Sequence, residues 1–165
     1  ILPGETALGL SNTCEDCRAG HYIPLARKAL DDAGYSEVPI ITPGKDSKNL
    51  HPGFRLSPFF HIRMAWGVAM LDGLEMMVRA LRPYEIHPGE TDRVFEEHLS
   101  IISALVPSSL KKAKKALGEA VSAFNNIHVD RRVRKPRCGL LGEVLMNFHP
   151  TANGEVERYL ESHGM

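Results

Sequence analysis

The sequence predicts a helix-rich α/β fold, with parallel strands carried toward the two ends of the chain and a large helical insertion between them. Two apolar runs, Val38–Thr42 and Gly139–Met146, read as short buried strands, and helix signals flank each of them. Between them the pattern is helical almost throughout. Parallel strands joined by helical crossovers form a right-handed layer. Residues 1–54 and 130–165 then make the α/β part and residues 55–129 the helical insert. At 165 residues the chain is one domain's worth, long enough to bury a proper core. It begins at Ile1 without a start methionine and ends at Gly164-Met165, where a helix would hand over to a strand. It therefore reads as a piece of a longer polypeptide.

Residues 1–17 read as loop, because Pro3, Gly4, Gly9, Ser11, Asn12 and Thr13 break any period. From Arg18 to Ala33 a helix is expected, with Ile23, Leu25, Ala26, Ala29 and Leu30 on one stripe. Pro24 falls in the first turns, where its missing N–H costs little. Gly34 is placed to end this helix with a left-handed residue. The strand Val38–Thr42 follows and is closed by Pro43-Gly44. A polar loop, 45–57, leads into Phe59–Leu81, which is apolar on nearly every side and predicts a central buried helix with Trp66 inaccessible. Its methionines, Met64, Met70, Met76 and Met77, read as core filler. Arg82-Pro83-Tyr84-Glu85 ends it, because a residue before proline avoids the α region. Two further helices are expected, Thr91 to Val106 and Pro107 or Ser108 to Ile127. The lysines of the second, Lys111, Lys112, Lys114 and Lys115, read as a solvated face. A basic linker, Asp130–Arg137, precedes the strand Gly139–Met146, and a turn at Asn147–Pro150 leads to a closing helix, Ala152 to Ser162, capped by Thr151 or Asn153.

Composition works mainly by exclusion. Twenty basic and twenty acidic residues give a formal net charge of zero, so no global field exists to hold a phosphate backbone, and nucleic acid is not an expected partner. Three cysteines are too few for a disulfide framework and point to a reducing, cytoplasmic compartment. The longest uncharged apolar run, Met64–Leu71, is far short of the ~20 residues of a membrane span. No Walker loop, no G-x-G-x-x-G and no Ser–His–Asp spacing is present.

The chemistry sits in Cys14-Glu15-Asp16-Cys17-Arg18, just where a helical pattern begins. A helix start exposes unpaired N–H groups and a partial positive charge, which favour thiolate over thiol, and Arg18 adds a full charge beside it. Cys17, with Cys14 as companion, is therefore a candidate metal ligand or reactive thiolate. His21 is a third candidate donor, and a closed tetrahedral site would need one more, from Cys138 or from a segment beyond this chain. Glu143 is expected inside an apolar strand next to Gly142, where a carboxylate is costly to bury without a partner. Either it forms a core ion pair or it is aimed at a ligand near the strand end, as a catalytic acid or base.

These residues resemble one family. The run Cys17-Arg18-Ala19-Gly20-His21-Tyr22 before a helix, the strand ending Ile40-Ile41, and Leu141-Gly142-Glu143 with Asn153 in the following helix are similar to the 2-hydroxyglutaryl-CoA dehydratase component-D family. The resemblance is closest to its version within large CoA-substrate-specific enzyme activase proteins. Trp66 and Asp72 on an apolar helix, followed by Arg82-Pro83-Tyr84-Glu85 and Gly89, fit those proteins too, and the likeness runs from about Leu2 to Met165. It implies a partial Rossmann-like parallel sheet and a 4Fe-4S iron–sulfur cluster, held by cysteines at strand ends in the full-length protein and not retained by this piece. It further implies ATP-driven low-potential electron transfer to an acyl-CoA substrate, as in a 2-hydroxyacyl-CoA dehydratase-like lyase or its activator. Cys17 is the residue that carries over. The family pattern has proline before that cysteine and glutamine before the tyrosine, where this chain has Asp16 and His21, and Cys14 is additional. Its partners would be other domains of the same polypeptide. The other reading of the residues is a structural or docking domain, open to oligomerisation, whose cysteines are incidental.

Overall fold

The computed structural model describes residues 2–10, 18–42 and 56–165. The chain divides into two compact units, Ile1–His61 and Ile62–Met165. The fold is helix-rich, with a small two-stranded parallel sheet.

In the first unit, strand β1 (Leu8–Gly9) pairs in parallel with β2 (Ile40–Ile41), Leu8 opposite Ile40 and Gly9 opposite Ile41. Parallel neighbours need a crossover. Here it contains a 3₁₀ turn, Arg18–His21, running into helix α1 (Tyr22–Asp32). Gly34, at φ 82°, terminates α1 as its composition predicts. Its N–H donates to the Asp31 carbonyl and that of Tyr35 to the Leu30 carbonyl, the paired bonds of a Schellman stop. Arg27 then fastens the returning chain to the helix, donating from Nη1 to the Val38 carbonyl (2.7 Å) and from Nη2 to the Tyr35 carbonyl (3.0 Å). Ile23, Val38, Ile40 and Thr42 are buried here.

The partner of β2 differs from the sequence expectation. Leu8–Gly9 lies in a segment read as loop, whereas Gly139–Met146 contains no strand. Residues 139–142 are irregular, and Val144–Phe148 is a short helix. The physical reason is local. The Glu143 side chain accepts a hydrogen bond from the Met146 N–H (3.1 Å), and Asn147 Nδ2 donates to the Gly142 carbonyl (3.0 Å). Both bonds favour a helix start over an extended ladder.

The second unit is built on three helices: α2 (Pro58–Leu81) from Ile62 onward, α3 (Glu90–Leu105) and α4 (Leu110–Asn125). α3 and α4 form a hairpin over the short turn 106–109, and the Ser109 hydroxyl caps α4 by accepting from the Lys112 N–H. Met70, Leu74 and Val78 of α2 enter a core with Val94 and Ile102 of α3 and Ala113, Ala116, Ala120 and Phe124 of α4. The three alanines share one face of α4, so the backbones approach closely and Phe124 fills the end of the seam. After α4 the chain returns to the Arg82–Tyr84 3₁₀ turn. There Asp130 N–H donates to the Tyr84 carbonyl, and Ile86 N–H to the His128 carbonyl.

α2 is not buried throughout, contrary to its composition. Only Met70, Leu74 and Val78 are buried, while Phe59 is 72 % exposed and Trp66 40 %. The α3–α4 hairpin covers the C-terminal half of the helix. At its far turn a Cβ on Gly67 would already touch Val106 (3.4 Å), and Arg63 donates to the Pro107 carbonyl. Apolar composition states a preference for burial; the covering partner comes from elsewhere.

The closing segment is split: α5 (Val144–Phe148), α6 (Pro150–Asn153) and α7 (Val156–Ser162). Gly154 (φ 66°) and Glu155 (φ 53°) break the single helix expected from 152 to 162. Asn153 Oδ1 accepts from the Val156 N–H at the start of α7, which begins four residues after the helix start that Thr151 or Asn153 was expected to cap. α7 has no fully buried residue.

Candidate functional site

Charge holds α7 in place. Arg82, only 10 % exposed at the side chain, makes a two-pronged contact with Glu161, Nε to Oε2 at 2.8 Å and Nη2 to Oε1 at 2.8 Å. It also reaches Asp92 on α3 (3.2 Å) and Glu157 on α7 (3.3 Å). Arg79 bridges Glu75 and Glu157, and Arg158 returns from α7 to Asp92. Burial disfavours the Arg82 charge, yet hydrogen bonds and attraction from Glu161 and Asp92 outweigh it and raise the guanidinium above the ordinary arginine value. Glu85 of the same Arg-Pro-Tyr-Glu stretch accepts from the N–H groups of Gly89 (2.7 Å) and Thr91 (2.9 Å) at the start of α3. Burial works to raise its carboxyl, but those backbone bonds prevail and hold it below the ordinary value.

Beside this network the second unit opens a cleft of about 900 Å³. One wall is the irregular chain after α4, which contributes Arg131, Arg134, Lys135 and Arg137. The floor is apolar and includes Pro83, Phe148 and Leu160. Tyr84 organises the wall: its hydroxyl accepts from the Lys135 N–H (3.0 Å), and its ring lies 5.7 Å from both the Arg131 guanidinium and the Lys135 ammonium. The carboxylates nearby are already committed. Arg132 engages Asp130 and, through hydrogen bonds above all, holds its carboxyl down to about 2. Arg79 and Arg82 engage Glu157 and Glu161. Among the described residues, Arg131, Arg134, Lys135 and Arg137 face no carboxylate within ion-pair distance. A smaller cleft of about 430 Å³ shares Arg79, Asn147, Phe148 and Glu157 with it and extends to Phe95, Asn153 and Arg158.

The sequence-predicted site residues are not gathered here. Cys14 and Cys17 lie outside the described residues. In sequence they fall between Leu10, just past β1, and Arg18, where the helical turn before α1 begins. His21 closes that turn and is exposed. Cys138 is a free, exposed thiol on the large cleft of the second unit. Among the described residues no three His, Cys, Asp or Glu side chains converge as a metal ion would need. Glu143 is exposed at the start of α5 and lines neither cleft, so the burial on which its acid–base role rested is missing.

Sequence reasoning missed the Arg82 hub and the role of Tyr84. The signal for the cleft was present as the basic run 131–137, read only as a linker. No protein-family model, curated protein or solved structure matches this chain.

Proposed function

We propose that this chain is part of an iron–sulfur protein of the 2-hydroxyacyl-CoA dehydratase and activase type. In that role it would take part in ATP-driven, low-potential electron transfer to an acyl-CoA substrate, with the ATP-hydrolysing part elsewhere in the polypeptide. One observation supports the reading beyond the sequence motifs. β1, α1 and β2 make a parallel strand–helix–strand unit, and Cys14 and Cys17 occupy the connection between the end of its first strand and the start of its helix. In open parallel sheets ligands collect beyond the carboxyl ends of strands. A helix start beside Arg18 also favours the thiolate that an iron cluster takes as ligand. We take β1 and β2 as two strands of a Rossmann-like sheet. The cluster, when bound, supplies one-electron chemistry, and this chain's contribution is the thiolate of Cys17, with Cys14 beside it. Glu143, as an exposed helix cap, has no part in the proposal.

The test is anaerobic purification of the full-length parent, with iron, acid-labile sulfide and visible absorption measured for it and for Cys17→Ser and Cys14→Ser. Loss of iron and colour in Cys17→Ser is the expected result. Unchanged iron and absorption in that variant would refute the cluster assignment. The docking-domain reading has its own support in the exposed apolar residues Ile62, Trp66 and Val68 of α2. A parent without iron would leave that reading standing.

A further inference from the structure

The basic cleft of the second unit takes no part in the proposal above, and we propose that it seats an extended, acidic segment of a partner polypeptide. The cations Arg131, Arg134, Lys135 and Arg137 line it while the adjacent carboxylates are held by Arg132, Arg79 and Arg82. They therefore present uncompensated positive charge over an apolar floor. Their spacing matters. Arg131 to Arg137 is six steps of chain without helix or strand, a reach of up to roughly 20 Å. A lone phosphate spans only a small part of that row. Carboxylates on one face of an extended chain recur every ~7 Å, so successive ones can engage more than one of these cations at once.

The backbone supplies a second, independent observation. Among the described residues, the N–H and C=O groups of 137–141 make no hydrogen bond, and these residues are exposed. Unpaired main chain in a groove is what an added strand uses, with alternate side chains turned down onto the floor. Pro83, Phe148 and Leu160 provide that floor. The matching segment thus alternates acidic and apolar residues. Nucleic acid fits less well, because the Tyr84 ring is already flanked by Arg131 and Lys135 and offers no free stacking platform.

A fluorescein-labelled decapeptide alternating Glu and Leu, titrated against the whole chain by anisotropy, tests this directly. Binding should weaken as salt rises, and the double variant Arg134→Glu with Arg137→Glu should lose at least about tenfold in affinity. Both positions are exposed, and far-UV circular dichroism verifies that the variant keeps its helices. Four results would each overturn the proposal: no binding by the folded parent, equal binding of a peptide with Lys in place of Glu, an affinity indifferent to the charge reversal, or tighter binding of pyrophosphate or a single-stranded oligonucleotide. Iron content is not a readout here, so this proposal and the cluster proposal fail separately.

Discussion

Replacing Arg82 by leucine should free α7 from the helices it rests on. The guanidinium is 10 % exposed and Glu161 18 %, so their two-pronged contact belongs to the partly desolvated class. Hydrogen bonds to charged groups in that setting contribute about 1.5–3 kcal/mol net. The contacts to Asp92 (27 % exposed) and Glu157 (38 %) are wetter, and each adds roughly 0.2–1 kcal/mol. Arg82→Leu leaves Glu161, Glu157 and Asp92 close together without their shared cation, so the loss should reach about 2–4 kcal/mol. With a urea slope of about 2 kcal/mol per molar, the middle of the usual range, the unfolding midpoint falls by roughly 1–2 M. Hydrogen exchange should speed up first in 156–162, because α7 has no fully buried residue of its own. Arg82→Lys keeps the charge and loses the fork, so it should fall between the two. A midpoint for Arg82→Leu equal to that of the parent, with exchange in α7 unchanged, would refute the claim that this arginine holds the closing helix.

Two further outcomes follow from the same geometry. Glu85→Gln should cost about 0.5–2 kcal/mol at neutral pH through weaker capping of α3. Because the folded Glu85 carboxyl lies below its ordinary 4.5, its stabilisation is present above that value and fades as pH falls through the lowered folded value. Urea titrations at neutral and strongly acid pH should therefore show the gap between parent and variant closing in acid; a gap that stays constant would contradict the cap. Trp66, 40 % exposed with the Lys114 ammonium 4.7 Å from its ring centre, should be readily quenched by acrylamide in the folded chain. Lys114→Ala should shift its emission while changing stability by no more than about 1 kcal/mol; a tryptophan inaccessible to the quencher would show that the start of α2 is covered.

Local chemistry made much of the fold legible in the residues themselves. Gly34 stops α1 because only a residue free of a Cβ takes φ 82° without strain. Pro83 ends α2 within a turn of its own position, while α4 starts two or three residues after the expected Pro107 or Ser108, where the Ser109 hydroxyl caps it. Helix spacing placed α1, α3 and α4 to within a few residues for the same reason: period and caps are properties of neighbours in sequence. The candidate site was less legible. Cys14 and Cys17 could be singled out by their place before a helix, while the basic run at 131–137 looked like a linker until Tyr84 and the floor around Phe148 were brought beside it.

What the amino-acid order alone determined is helices α1 to α4, their stops, and which stripes prefer to be buried. Tertiary structure alone decided that Leu8–Gly9, too short to carry a strand pattern, pairs with Ile40–Ile41. It also decided that α2 is covered along only part of its length, and that Arg82 finds Asp92 on α3 and Glu157 and Glu161 on α7. Strand partners, covering surfaces and ion pairs join residues far apart in the chain. Their free energy depends on an arrangement that no local window of sequence contains.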